Sequence, residues 1–120
     1  MSLMVRELPW PGDPRAALLE LSGAIDPGGL EPFGRAIERL QGEGRVHVGL
    51  DLSGIRYVSS SGFGLLVRHA QALAERGGGI ALLGVPAKVR VVLELLGLAS
   101  CFSAVCERRP VVSAAARVAG

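Results

Sequence analysis

Between residues 46 and 85 the chain switches twice between two apolar periodicities, and the order of those switches leaves few folds open. Val46 to Leu52 is a short, nearly continuous apolar run of strand length. Ser53 and Gly54 follow as turn residues before a second apolar piece, Ile55 to Val58. Then Phe63, Leu66, Val67, Ala70, Leu73 and Ala74 recur at the spacing of one helical face. Gly77, Gly78 and Gly79 stop that helix, and Ile80 to Val85 is strand-like again until Pro86 closes it. A strand, a helix and a strand in succession build a parallel crossover, so the sequence predicts an α/β domain.

The flanking segments extend the same scheme. Val5 to Leu8 and Ala17 to Ser22 are short apolar runs separated by Pro9, Pro11, Gly12, Asp13 and Pro14, which predicts an opening β-hairpin. Leu30, Phe33, Ile37 and Leu40 mark a first helix, with Pro32 tolerated in its first turn and Gly42 and Gly44 ending it. Val89, Val92, Leu93 and Leu96 repeat the helical register before Gly97. A last extended piece, Phe102 to Val105, precedes Pro110, and Val111 to Val118 reads as a closing helix. The expected architecture is a hairpin followed by alternating strands and helices around a mixed, largely parallel sheet. At 120 residues it is a single domain. Met1, Ser2 and Leu3 carry no functional weight.

Charge and composition remove several function classes. The net charge is +2, and the twelve arginines and one lysine are scattered without a basic block, so no nucleic-acid partner is expected. No apolar run approaches the roughly 18 residues of a membrane span, and the first residues lack a signal-peptide pattern, so membrane insertion is not expected and a cytoplasmic location is. In one extended segment, the odd spacing of Cys101 and Cys106 sends them to opposite faces, where they cannot pair and serve as small buried residues. No Cys-x-x-Cys pair exists and His47 and His69 lie far away, so neither a metal site nor a cofactor is expected.

The chemistry concentrates at Ser59-Ser60-Ser61-Gly62, where the predicted second helix begins. One serine there has a purely structural use, as a cap for free backbone N–H groups. Three leave at least one hydroxyl for something else. The outward face of the same helix carries Ser61, Gly64, Leu65, Arg68 and Ala72, a flat stripe of small residues around one leucine and one arginine that suits docking. A serine hydrolase would need a base and a nucleophile elbow, yet Val58 stands at the first glycine position of that motif relative to Ser60. His47 and His69 read as surface or packing histidines, and the three glycines after the second helix as a turn rather than a phosphate cradle.

The run Asp51-Leu-Ser-Gly-Ile-Arg-Tyr-Val-Ser-Ser-Ser-Gly-Phe-Gly-Leu-Leu66 resembles the signature of the STAS domain of bacterial anti-sigma-factor antagonists. Leu21 to Asp26 resembles the family's Gly-Glu-Leu-Asp loop, and Pro86 to Phe102 its proline, helix, Gly-Leu and phenylalanine ending. The resemblance implies a non-enzymatic switch whose partner is an anti-sigma factor, itself a serine kinase, and whose capture of that partner releases a sigma factor. It implies Ser60 as the phosphorylated residue, with Ser59 and Ser61 as alternatives, a serine phosphatase as a further partner, and Asp26, Ser61 and Gly62 at the site; with Ser59 and the outward stripe of Gly64, Leu65, Arg68 and Ala72 read from the helical register, these make the expected partner-binding surface. The family's acidic residue just before the phosphorylated serine is replaced here by Ser59. That departure supports a second reading, a constitutive STAS subunit of a lipid-transport ATPase or stress-sensing complex, and the small serine hydrolase stands as a remote third.

Overall fold

The computed structural model describes residues 3–10, 12–27 and 30–108. Strands β1 (Met4–Leu8) and β2 (Ala16–Ile25) form the predicted hairpin, pairing antiparallel from Met4 opposite Ser22 to Leu8 opposite Leu18. Asp13 shapes the turn: its carboxylate accepts the Arg15 N–H at 2.8 Å and its carbonyl the Ala16 N–H at 3.1 Å. Helix α1 (Leu30–Gly42), strand β3 (His47–Val58), helix α2 (Ser60–Glu75), strand β4 (Gly79–Leu83), helix α3 (Ala87–Leu95) and the two-residue strand β5 (Ala104–Val105) follow. The sequence-predicted closing helix, Val111 to Val118, lies outside the described residues.

The strands lie in the order β1-β2-β3-β4-β5, and every pair after the hairpin is parallel. Parallel crossovers are right-handed as a rule, and with a strand order that never reverses this puts successive helices on one face of the sheet, as the single core cluster drawn from α1, α2 and α3 reflects. The core forms there. Leu19 and Leu21 of β2, Leu50 and Leu52 of β3, and Ile80 and Leu82 of β4 bury against Phe33, Ile37 and Leu40 of α1, Leu66 and Leu73 of α2, and Leu93 of α3. Leu3 joins this core at 8 % exposure and so contributes to packing. The return from α2 to β4 needs glycine at position 78, where a Cβ would stand 2.0 Å from the Val46 carbonyl oxygen.

Strand β3 departs from the sequence reading. Ser53 and Gly54, expected as a turn between two strand pieces, lie inside one continuous twelve-residue strand. The pairing with β2 absorbs the irregularity. Glu20 stands opposite Asp51 but Ser22 opposite Gly54, and Gly23 opposite Ile55 but Ala24 opposite Tyr57, so β3 twice carries one residue more than its neighbour. These are two β-bulges. The helix-facing apolar positions of β3 accordingly run 48, 50, 52, 55 and 58, with a gap of three at each bulge. Asp51, buried at 2 % exposure, accepts the Ser53 N–H within the first bulge at 3.0 Å.

The hairpin edge is tied to the helical layer by charge. The Glu7 carboxylate accepts from Arg39 of α1 at 2.8 Å and from Arg45 at 2.7 Å, which holds its carboxyl below the usual carboxylate range. The groups are exposed enough that the cluster adds little energy and chiefly fixes position. Cys101 and Cys106 do not share an extended segment: Cys101 closes a short 3₁₀ turn, Ala99–Cys101, and Cys106 follows β5. Both are free and half-buried rather than buried. Among the described residues no helix is long and apolar enough to cross a membrane, and no group of three or more His, Cys, Asp or Glu gathers.

Packing of this kind gives a direct expectation. Leu50 is wholly buried, and Leu50→Ala is expected to cost about 3 kcal/mol in urea unfolding through the cavity it leaves. Leu95 on α3 is 80 % exposed. Leu95→Ala should therefore change stability by no more than about 0.5 kcal/mol.

Candidate functional site

Strands β2 and β3 end side by side, with Ile25 opposite Val58, and the chain then turns directly into α2. The Ser59 N–H donates to the Ile25 carbonyl at 2.8 Å, and the Ser59 hydroxyl donates to the same carbonyl at 3.1 Å. Ser59 Oγ also accepts the Gly62 N–H at 3.0 Å, which makes Ser59, with φ −76° and ψ 167°, the N-cap of the helix. Ser61 Oγ lies 3.0 Å from Ser59 Oγ. A hydroxyl has one proton and two lone pairs. Since the Ser59 proton goes to Ile25, both lone pairs accept, one from Gly62 and the other from the Ser61 hydroxyl.

Ser60 is left over. It is exposed at the first position of α2, and its hydroxyl has no hydrogen-bond partner among the described residues. No acidic residue occupies the first turn of the helix, so no carboxylate of that turn offsets the partial positive charge of its free N–H groups. Of the three serines, one is the cap, one leans on the cap, and one is free.

The remaining predicted residues separate by burial. Ser61, Gly64 and Arg68 are exposed on one side of α2, while Leu65 and Ala72 are half-buried along it. Leu65 also packs on the core, whereas a Cβ at Gly64 would meet open space. Gly62, expected at the interface, is buried at the start of α2, and a Cβ there would lie 2.5 Å from the Ile25 carbonyl oxygen and 2.9 Å from Ile25 Cγ2. Its smallness lets α2 start hard against β2. Asp26, half-buried, follows Ile25 and so stands beside the loop; it is engaged in an interaction of its own.

The motif in which these residues sit is shared. Residues 11–105, well over half the chain, match the family model described as "Mlab, STAS domain". The chain belongs to the STAS domain family. No curated protein matches it. Among solved structures, SpoIIAA of Bacillus, an anti-sigma factor antagonist, is similar in its unphosphorylated form with a TM-score of 0.69 at 18% identity, covering 98% of this chain and 99% of that one. Its phosphorylated form gives 0.70 at 19% identity, over 96% and 99%. An anti-sigma factor antagonist from Mycobacterium paratuberculosis gives 0.70 at 20% identity over 97% and 92%, and a Thermotoga maritima protein 0.76 at 18% identity over 97% and 95%. At these identities the likeness is one of fold.

In this STAS domain neither histidine stands at the serines. His47 opens β3 at the far end of the strand, and His69 lies nine residues along α2 from Ser60, about 13 Å by helical rise. His69 packs edge-on against Phe33, with ring centroids 5.6 Å apart at 86°. Burial lowers its pKa, Arg68 adds to the lowering and Glu38 opposes it. One feature of the site escaped the sequence: Val58 and Phe63, flanking the serines, line a 210 Å³ cleft with Lys88, Val89 and Val92 of α3. These residues lie 25 to 34 positions apart, and no spacing rule links them.

The hydrogen-bond roles separate experimentally. Ser59→Ala should cost about 1 kcal/mol as the cap is lost, whereas Ser60→Ala should change stability by less than about 0.5 kcal/mol, both read from chemical unfolding. The His69 environment sets a pH dependence. A histidine whose folded pKa is depressed leaves stability intact above its ordinary value, near 6.5, and loses it as pH falls toward the lowered one. The melting temperature should therefore drop between pH 7.5 and pH 5.5 by more in the native protein than in His69→Phe.

Proposed function

We propose that this STAS domain is a cytoplasmic anti-sigma-factor antagonist, a non-enzymatic switch that docks an anti-sigma factor through the 59–61 loop and the exposed side of α2 and thereby releases a sigma factor. The observation that carries the reading is the free, exposed Ser60 hydroxyl at the start of α2, at the position where the family motif is phosphorylated. In this reading the partner is a serine kinase, Ser60 is its acceptor, and a serine phosphatase resets the loop. The catalytic groups belong to the partner.

Phosphorylation would add about −1.5 to −2 charges and three acceptor oxygens to that position. The helix N-terminus tolerates such a group. An acidic partner surface does not, and a hundredfold weaker complex needs only about 2.8 kcal/mol. Asp26, beside the loop, belongs to the same surface. So do Ser61, Gly64, Leu65, Arg68 and Ala72 along the helix.

Ser59 favours a second reading. Its hydroxyl replaces the acidic residue of the motif and is consumed in capping α2, which suits a constitutive STAS subunit of a larger complex such as a lipid-transport ATPase. Phosphate mapping separates the two. Incubation with the cognate anti-sigma factor and ATP should place phosphate on Ser60 by peptide mass spectrometry, and Ser60→Ala should abolish it. Tight binding of that partner without any labelling would leave the constitutive subunit.

The docking surface is tested by charge. Leu65→Asp and Arg68→Glu should each weaken capture of the anti-sigma factor about tenfold or more, measured by calorimetric titration. Arg68→Glu should leave the melting temperature nearly unchanged because Arg68 is exposed. Undiminished capture by both variants would move the interface off α2.

A further inference from the structure

The C-terminal end of β3 and the first turns of α3 meet beside the serine loop and leave a concave apolar space between them. The cleft measures 210 Å³, and its walls are Val58, Phe63, Val89 and Val92. That volume suits one large apolar side chain. Arg56 and Lys88 stand at the rim, both exposed, and neither has an ion pair or hydrogen bond among the described residues. Arg90, on the same helix, is by contrast paired with Glu94 and Glu107.

The apolar surface continues out of the cleft. Val91 is 48% exposed, Leu95 80% and the C-cap residue Leu96 60%, and with Val92 they make a stripe along α3 and its C-terminal end. On the other side Tyr57 is 57% exposed. A pocket for one anchor, a leucine stripe about a turn farther on, and unpaired cations at the rim are complementary to an amphipathic helix whose apolar residues recur at i, i+4 and i+7 and whose flanks are acidic. Neither α2 nor α3 has an acidic residue in its first turn, so no carboxylate of those turns opposes that charge. A flat anionic membrane fits less well: the space is concave, and two cations fall short of the about four to eight that such surfaces recruit.

We infer that the cleft between β3 and α3 receives an acidic amphipathic helix of the partner protein, with one apolar side chain seated between Phe63 and Val92 and carboxylates against Arg56 and Lys88. The inference rests on the docking reading of the serine loop, which the cleft adjoins, and adds to it the chemistry of the partner. It also gives exposed α3 leucines a use that the α2 interface does not.

The probe is a synthetic helical peptide with leucines at i, i+4 and i+7 and glutamates between them, titrated into isotope-labelled protein. The amide signals of Val58, Phe63, Val89 and Val92 should shift, and the affinity should fall as salt rises. The same peptide with lysines for glutamates should not bind. Arg56→Glu with Lys88→Glu should weaken the acidic peptide about tenfold at unchanged melting temperature, and Tyr57→Ala provides a second, uncharged test of the rim. Binding regardless of peptide charge, shifts confined to another face, or shifts produced by phosphatidylglycerol vesicles and not by the peptide would each overturn the inference. With the anti-sigma factor itself, loss of capture in Arg68→Glu but not in the Arg56/Lys88 pair overturns the cleft and spares the α2 reading; the reverse pattern spares the cleft and overturns α2.

Discussion

One backbone carbonyl fixes where the serine loop sits. The Ile25 oxygen accepts both the N–H and the hydroxyl of Ser59, and it is the atom that a Cβ at position 62 would strike. Ser59 can cap α2 only because it is held there, and α2 can start there only because residue 62 is glycine. The end of β2 thus positions the start of α2 although 34 residues separate Ile25 from Ser59. A carboxylate at position 59 could still cap, but it could not donate to Ile25. Ser59 therefore gives the loop a second tether that an acidic residue at this position would not.

That anchoring leaves structural contacts and free surface on neighbouring residues. Ser59 and Gly62 are committed to holding the helix against the sheet, while Ser60 faces solvent with its hydroxyl unused. The same partition runs along α2, where Leu66, Ala70 and Leu73 fill the core and Gly64 and Arg68 lie outside it. The exposed side of α2 can change in sequence under such an arrangement without disturbing the fold.

Much of this was legible in the sequence, and the exceptions have physical causes. Helix α2 was plain because its apolar residues keep one register for three turns and three glycines end it. The hairpin was plain from its proline-rich punctuation. Ser53 and Gly54 were read as a turn because bulges break the period of two as a turn does, and only the pairing with β2 distinguishes them. The choice among the serines was open because a cap is decided by which hydroxyl reaches Ile25, a contact between distant segments. The close approach of Gly62 to Ile25 likewise comes from the fold and not from any local pattern. The cleft was invisible for the same reason.

The paired bulges in β3 impose an arithmetic on the chain. One extra residue in a strand turns every later side chain to the opposite face, and a second turns it back. Positions 48 and 58 consequently face the helical layer together although the strand between them is twice irregular. Losing a single residue between them would deliver the serines upside down, whereas losing one from each bulge would shorten the strand and keep its sense. The segment is thus constrained in parity more than in length, so related chains should differ there by even numbers of residues.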